Sequence, residues 1–209
     1  MIQKQPIAPC ATMTKNSTYS KTEPQSIQSL FNTIAPRYDL ANRVLSFNLH
    51  KGWNRALINT IDPSASILLD LCGGTGEIAY TWLKKQKIPK KVLILDFSAE
   101  MLTQAKQRAP NDHEVDWLEA DAQVLPLPNN SVDAITCAYG IRNIKDRSKA
   151  LKEAYRVLKP GGTIGILDLT EPRSALLRPL HAFYLNQILP TIGGLITMNP
   201  KAYRYLSNR

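Results

Sequence analysis

Apolar residues first gather at helical spacing. Ile27, Leu30, Phe31 and Ile34 recur three or four residues apart until Pro36 breaks the run, and a second amphipathic stretch passes through Val44, Leu45 and Trp53 to Leu57. From residue 67 the pattern changes. Short apolar runs at 67–71, 92–95, 115–118, 134–138 and 164–169 have strand length and little internal polarity, as in strands buried on both faces. Helical stretches lie between several of them, such as 99–109 and 147–158, and in the latter Leu151, Ala154, Tyr155 and Leu158 make one apolar face. Pro160-Gly161-Gly162 then stops that helix, because proline cannot continue it and glycine accepts positive φ. Strand and helix in alternation predict an α/β fold, a parallel sheet with helices on both faces. Farther on, Leu176, Leu177, Leu180, Phe183, Tyr184 and Ile188 predict an amphipathic helix over 174–189, with Arg173 and Arg178 beside it. At that length it covers a surface and does not span a bilayer.

Composition narrows the class. The 209 residues, 44% hydrophobic and 21% charged, suit one globular domain. Three scattered cysteines form no CxxC pair and no metal spacing, which excludes a disulfide scaffold or zinc site and favours a reducing compartment. The net charge of +9 sits at the ends: residues 1–66 carry seven basic and three acidic side chains, residues 171–209 five and one, and the middle is near neutral. Basic, apolar flanks suit a surface facing anionic lipid, although solvated charge serving solubility explains them equally well. The acid-free first 22 residues lack arginine and an amphipathic stripe, so 1–24 is expected to be a disordered tail and not a transit peptide. The remaining 25–209 divides into a helical cap (25–60), a ligand-binding core (67–170) and a helical cover (171–209).

The strongest local chemistry is Asp70-Leu71-Cys72-Gly73-Gly74-Thr75-Gly76-Glu77, between the first strand and the next helix. Glycines there let the backbone turn sharply and approach a ligand, and helix N-terminal amides favour its anionic part. Asp96 closes the second strand, placed to accept two ribose hydroxyls. Gly74 to Ala79 fits the dinucleotide pattern G-x-G-x-x-[GA], so a nicotinamide dinucleotide and S-adenosylmethionine both remain candidates. Three features favour the methyl donor. Asp70 would repel a pyrophosphate, Asp121-Ala122 after the third strand can accept from an adenine amino group, and Arg156-Val157-Leu158-Lys159-Pro160-Gly161-Gly162 leads into the fifth strand as in methyltransferases. As a plain loop carboxylate, Asp121 would only cap a turn.

With these residues in view, the chain resembles the ubiquinone/menaquinone biosynthesis C-methyltransferases. The likeness rests on Tyr38-Asp39-Leu40-Ala41-Asn42-Arg43-Val44-Leu45-Ser46-Phe47-Asn48-Leu49-His50-Lys51-Gly52-Trp53, on the stretch from Arg156 to Asp168, and on Tyr139-Gly140-Ile141-Arg142-Asn143 between them. The resemblance implies a Rossmann-like sheet, S-adenosyl-L-methionine as donor and a prenylated quinol as acceptor, with demethylmenaquinol the first choice. It places Asp70, Gly73, Gly74, Thr75, Asp96, Asp121 and Ala122 at the donor, and Arg142 and Asn143 at the ring being methylated. Ala41 stands where the family has Met, and Leu169-Thr170 where it commonly has Phe-Ser. The family sheet has seven strands and only five can be found here. A truncated product is the first expectation, and a partner or second copy covering the fifth strand is the alternative.

Methylating a ring carbon requires an electron-rich acceptor, which a quinol becomes on losing a hydroxyl proton. The candidates for taking it are a water held by Arg142 and Asn143, or the side chains of Tyr38, Asp39 or His50. Each has a plainer reading: Arg142 could pair with Asp146, His50 could cap its segment, Asp39 could make a turn, and Trp53 belongs to the core. No metal is called for. A cytoplasmic enzyme is expected, with peripheral contact at the inner face of the membrane. An RNA methyltransferase and a non-catalytic scaffold subunit of a quinone-synthesis complex are the rivals. The fourth strand ends in Cys137-Ala138-Tyr139-Gly140 and lacks the Asn/Asp-Pro-Pro-aromatic pattern of amino-group methylators, so no nucleic-acid partner is expected.

Overall fold

In the computed structural model the described residues are 24–199, apart from 89, 171 and 173. Five parallel strands form one sheet in the order β3-β2-β1-β4-β5. They are β1 (Ile67–Leu71), β2 (Lys91–Asp96), β3 (Glu114–Glu119), β4 (Val132–Ala138) and β5 (Leu158–Leu167). Strand order reverses between β1 and β4, the position where the loops on either side part and leave a crevice at the carboxyl ends.

The sheet is buried on both faces because its central strands are apolar throughout, and two separate cores result. On one side Leu68, Val92, Ile94 and Ala134 pack with α3 (Leu49–Ile58), α4 (Glu77–Leu83) and α5 (Ala99–Lys106). On the other, Leu69, Leu71, Leu93 and Ile135 meet α6 (Arg147–Val157). A third, smaller cluster joins α1 (Pro24–Ile34) and α2 (Tyr38–Leu45) to Met101 of α5 and to Leu189 and Ile196 of α8 (Leu189–Thr197). Pro24, assigned above to the tail, opens α1; residues 1–23 of that tail lie outside the described residues.

Several boundaries differ from the sequence pattern. The apolar face of α6 is Ala150, Ala154 and Val157, whereas Tyr155 is 78% exposed and Leu158 already belongs to β5. The helix packs tightly on the sheet, so small residues four and three apart fit where a tyrosine would not. Pro160-Gly161-Gly162 does not form a free turn. The helix ends at Val157, and the three residues sit inside β5 as a bulge, Leu158 pairing with Val132 and Thr163 with Ala134. β5 ends at Leu167, two residues short of the expected end. The second amphipathic stretch splits into α2 and α3 at a tight turn where Phe47 and Asn48 take positive φ. Trp53 is more than a third exposed, because α3 buries His50, Asn54, Leu57 and Ile58 instead.

The expected helix over 174–189 starts later and runs on. Helix α7 (Arg178–Phe183) passes through a π-helical turn at Tyr184–Ile188 into α8. It is tied to the cap by the Tyr184 hydroxyl, which donates to the Leu45 carbonyl at 2.6 Å, and by Arg37, which donates to the Ile196 carbonyl at 3.0 Å. Only the Tyr184 and Ile188 end of its apolar stripe is partly buried, while Leu180 is 66% and Phe183 56% exposed.

Candidate active site

The carboxyl ends of all five strands contribute to one region. The glycine loop follows β1, Asp96 closes β2, Asp121 follows β3, the turn Tyr139–Asn143 follows β4, and Asp168 follows β5. Helices α2 and α3 lie over the β1 end of it, fixed by side chains described below.

In the glycine loop, Gly74 and Gly76 have φ of +54° and +79°, a conformation that costs other residues strain. A Cβ added at Gly74 would meet only the Asp96 carboxylate, at 3.9 Å, so open space lies over the loop. Asp96 Oδ2 accepts from Gly74 N at 2.9 Å and Oδ1 from Ser98 N at 2.9 Å. The Phe97 N–H also bears on this carboxylate, whose face toward the open space over Gly74 is where a vicinal diol would bind. Burial pushes this carboxyl up to about 6, against the backbone bonds that lower it. The expected consequence is that donor affinity falls roughly tenfold per pH unit below about 6, since only the carboxylate can accept from two hydroxyls. Titration of S-adenosylhomocysteine between pH 5 and 8 measures this.

The other donor-side residues fall into two groups. Thr75 borders the loop, Ala122 is buried beside β3, and exposed Asp121 closes a local turn by accepting from Gln123 N at 2.8 Å. Asp70 is different. It is buried, with Oδ1 accepting from Thr136 Oγ1 at 2.8 Å and Oδ2 from Ala79 N at 3.2 Å. Both oxygens are thus spent inside the protein, joining β1 to β4 and α4, and the residue shapes the loop from below. Gly73 lies equally close to this scaffold, since a Cβ there would meet Ile94 Cγ2 at 2.8 Å.

Burial pushes the Asp70 carboxyl up to about 7 from its usual 3.8. The native state therefore holds a proton that the unfolded chain releases as pH rises from about 4 to 7, and stability is lost across that window. Three pH units correspond to about 4 kcal/mol. Asp70→Asn should match the parent in denaturant unfolding near pH 4 and exceed it by roughly 2–4 kcal/mol at pH 8.

On the acceptor side, Arg142 Nη1 lies 3.6 Å from Asp168 Oδ1. The partner named in its plainer reading, Asp146, caps α6 by accepting from Lys149 N at 2.9 Å. Asn143 shares the short helical turn with Arg142. Tyr139 holds a left-handed φ of +59°, which a bulky residue adopts only under constraint, and its hydroxyl donates to Asn54 Oδ1 at 3.0 Å. Burial and the nearby charges of Glu77 and Asp168 push its phenol strongly up, and Arg142 opposes them. Tyr38 is raised for the same first reason, burial, with Asn42 and Arg142 pulling it down.

The cap is clasped to the glycine loop twice. Thr75 Oγ1 donates to Asp39 Oδ1 at 2.8 Å, while Arg108 pairs with the other oxygen of Asp39. His50 does not merely cap its helix: Nε2 lies 3.2 Å from Glu77 Oε1 and Nδ1 2.6 Å from Ser46 Oγ. Glu77, Tyr139, Asn54 and Asp168 are site residues that the sequence reading did not single out. Glu77 and Tyr139 stood within quoted motifs, but Asn54 carried no signal until α3 was placed against β4.

A sequence model of the ubiE/COQ5 methyltransferase family matches residues 18–209. The chain belongs to that family. It is 45% identical to a demethylmenaquinone methyltransferase of Protochlamydia amoebophila over 91% of this chain and 81% of the relative. A ubiquinone/menaquinone biosynthesis C-methyltransferase of Geotalea daltonii is 41% identical over 87% and 79%, respectively. A demethylmenaquinone methyltransferase of Thermus thermophilus is 42% identical over 85% and 81%. Among solved structures, the [4+2]-cyclase SpnF superposes with a TM-score of 0.60 at 19% identity, over 72% of this chain and 62% of that one. A SAM-dependent methyltransferase of Thermotoga maritima gives 0.57 at 23% identity, over 75% and 68%. These structural likenesses carry the fold, and membership of the family identifies an S-adenosylmethionine-dependent C-methyltransferase of quinone biosynthesis. The open glycine cradle and the Asp96 acceptor fit that donor.

Proposed function

We propose that this chain methylates the ring of demethylmenaquinol to give menaquinol. The observation that carries the reading is 45% identity to a demethylmenaquinone methyltransferase, in a chain whose donor cradle and Arg142 turn meet at one crevice. The donor, when bound, supplies an electrophilic sulfonium methyl group. Asp96 accepts the ribose hydroxyls, Asp121 and Ala122 border the adenine, and Thr75 borders the methionine part. Arg142 and Asn143 face the acceptor ring, and Arg142 stabilises the oxygen as it gains negative charge. Tyr38, half-buried and edge-on to Phe31 at 6.2 Å, helps keep water out of the crevice.

The acceptor is lipid-soluble, so the reading includes contact with an anionic bilayer. No described helix is long and apolar enough to cross a membrane. Exposed Leu49, Leu180 and Phe183 lie on helices that bear Lys51 and Arg178, and exposed Phe47 in the turn after α2 lies close in sequence to Arg43, the composition of an interfacial surface.

Two measurements test this. Incubation with methyl-labelled donor and demethylmenaquinol should place the label in menaquinol; no labelled quinol, in a chain that binds S-adenosylhomocysteine, overturns the substrate. In sedimentation with phosphatidylglycerol vesicles, Phe47→Asp should weaken binding by roughly 30-fold, the value of one buried aromatic side chain. Equal sedimentation of both proteins, or none of either, removes the membrane contact.

A further inference from the structure

Tyr139 stands where the chain leaves β4. Its N–H still donates to the Leu167 carbonyl at 2.7 Å, which carries the pairing of β4 with β5 one residue past Ala138. The φ of +59° then turns the chain out of the sheet. A bulky residue holds that conformation only where its surroundings over-determine it. What comes next is short and closed on itself. Asn143 N donates to the Gly140 carbonyl at 2.9 Å, completing the helical turn Ile141–Asn143. Arg142 reaches Asp168, the residue after Leu167. A rotation at Tyr139 would therefore swing Arg142 and Asn143 as one body.

The group that holds Tyr139 comes from the cap. Asn54 Oδ1 accepts its hydroxyl at 3.0 Å, across 85 residues of sequence. Asn54 is only 2% exposed, and a buried amide oxygen needs such a donor. Helix α3 serves as a fixed post because it is seated on the sheet. Leu57, one turn on from Asn54, lies so near β5 that a Cβ added at Gly165 would meet its Cδ1 at 2.7 Å. Leu57 and Ile58 also pack in the cluster that holds Leu68 and Ala134. The turn has no room to move toward the donor loop, since Gly140 already lies against Cys72. Release of the hydroxyl would let it drift only the other way, leaving the donor site undisturbed.

We propose that Asn54 is a positioning residue for the acceptor: by holding the Tyr139 hydroxyl, it keeps the left-handed turn that aims Arg142 and Asn143 at the quinol ring. The inference deepens the substrate reading given above and rests on it. Neither Asn54 nor Tyr139 touches the reacting atoms. They act through the backbone of the turn, as a strut between a packed helix and a strained residue. Arg142 stabilises an oxygen that gains charge during the reaction, so a misplaced guanidinium weakens the transition state more than the ground state. The loss then falls on kcat.

The test compares the full chain with Tyr139→Phe, Asn54→Ala and the double variant. S-adenosylhomocysteine affinity, melting temperature, and kcat and KM for demethylmenaquinol are read for each. Both single variants should bind S-adenosylhomocysteine within about threefold of the parent and lose kcat by roughly 10- to 100-fold, the effect of a misplacement of about 1 Å. The acceptor KM should change by less than about threefold. The double variant should lose no more than the worse single, since one bond is removed in all three. Tyr139→Phe keeps the ring that fills the site, so it should melt near the parent even if Asn54→Ala does not. Retention of kcat within about threefold in Tyr139→Phe overturns the proposal. So do losses that multiply in the double variant, or donor affinity that falls in step with kcat. A parent that binds S-adenosylhomocysteine but methylates no quinol removes the substrate reading and this inference with it, whereas an active parent with an equally active Tyr139→Phe removes the inference alone.

Discussion

Asp96→Ala should lose S-adenosylhomocysteine affinity by roughly 10²–10⁴, since hydrogen bonds to a charged acceptor are worth about 1.5–3 kcal/mol each and two hydroxyls are involved. The same change strips Gly74 N and Ser98 N of their acceptor, so the donor loop loosens where it must be most fixed. Asp96→Asn is the milder contrast. Its carbonyl oxygen keeps one of the Gly74 and Ser98 N–H bonds while its NH2 faces the other donor and cannot accept a hydroxyl, so the affinity loss should persist and the melting temperature should fall by less than in Asp96→Ala. Calorimetric titration with thermal unfolding of both variants decides it. An Asp96→Ala chain that bound the ligand as the parent does would remove Asp96 from the donor site.

Gly140→Ala should be the most disruptive small substitution in the site. The added Cβ would stand 2.4 Å from Cys72 Cβ and 3.1 Å from its Sγ, a contact between two chain segments and not with the end of a flexible side chain. Cys72 itself is held at a positive φ in the donor loop, so it has little freedom to retreat. Forcing the segments apart costs upwards of about 3 kcal/mol and should lower donor affinity and kcat together, because this is where the donor loop touches the Arg142 turn. Gly52→Ala is the contrast. Nothing lies within 4 Å of its added Cβ, and in the interior of α3 the change should stabilise by roughly 0.5–1 kcal/mol. Denaturant unfolding of the pair gives both signs in one experiment.

How much of this was readable in advance follows from sequence distance. The five strands could be seen because parallel strands buried on two faces are apolar without alternation. The placement of Asp96 against the glycine loop could be seen because it stands at a fixed step beyond that loop. The clasps could not. Thr75 meets Asp39 36 residues away, and Tyr139 meets Asn54 85 residues away. Nothing local in a lone histidine or asparagine on an amphipathic helix announces such a partner. Helix faces failed for a related reason: Tyr155 counted as apolar in the pattern, yet the sheet had room only for Ala154 and Val157 on that side. The Pro160-Gly161-Gly162 bulge reads equally well as a turn, because the residues that favour a turn also permit a strand to slip by three positions.

The two margins of the sheet are chemically unlike. β3 carries Glu114, Asp116 and Glu119, the first two paired with Lys91 of β2, whereas β5 presents half-exposed Ile164 and Ile166 and pairs only with β4 among the described residues. A molecule with one adhesive margin and one repellent margin cannot propagate a ribbon. If two copies joined along β5, the two-fold pair would turn only β3 margins outward, and growth would terminate there. Among the described residues the asymmetry limits association along β5 to a closed pair.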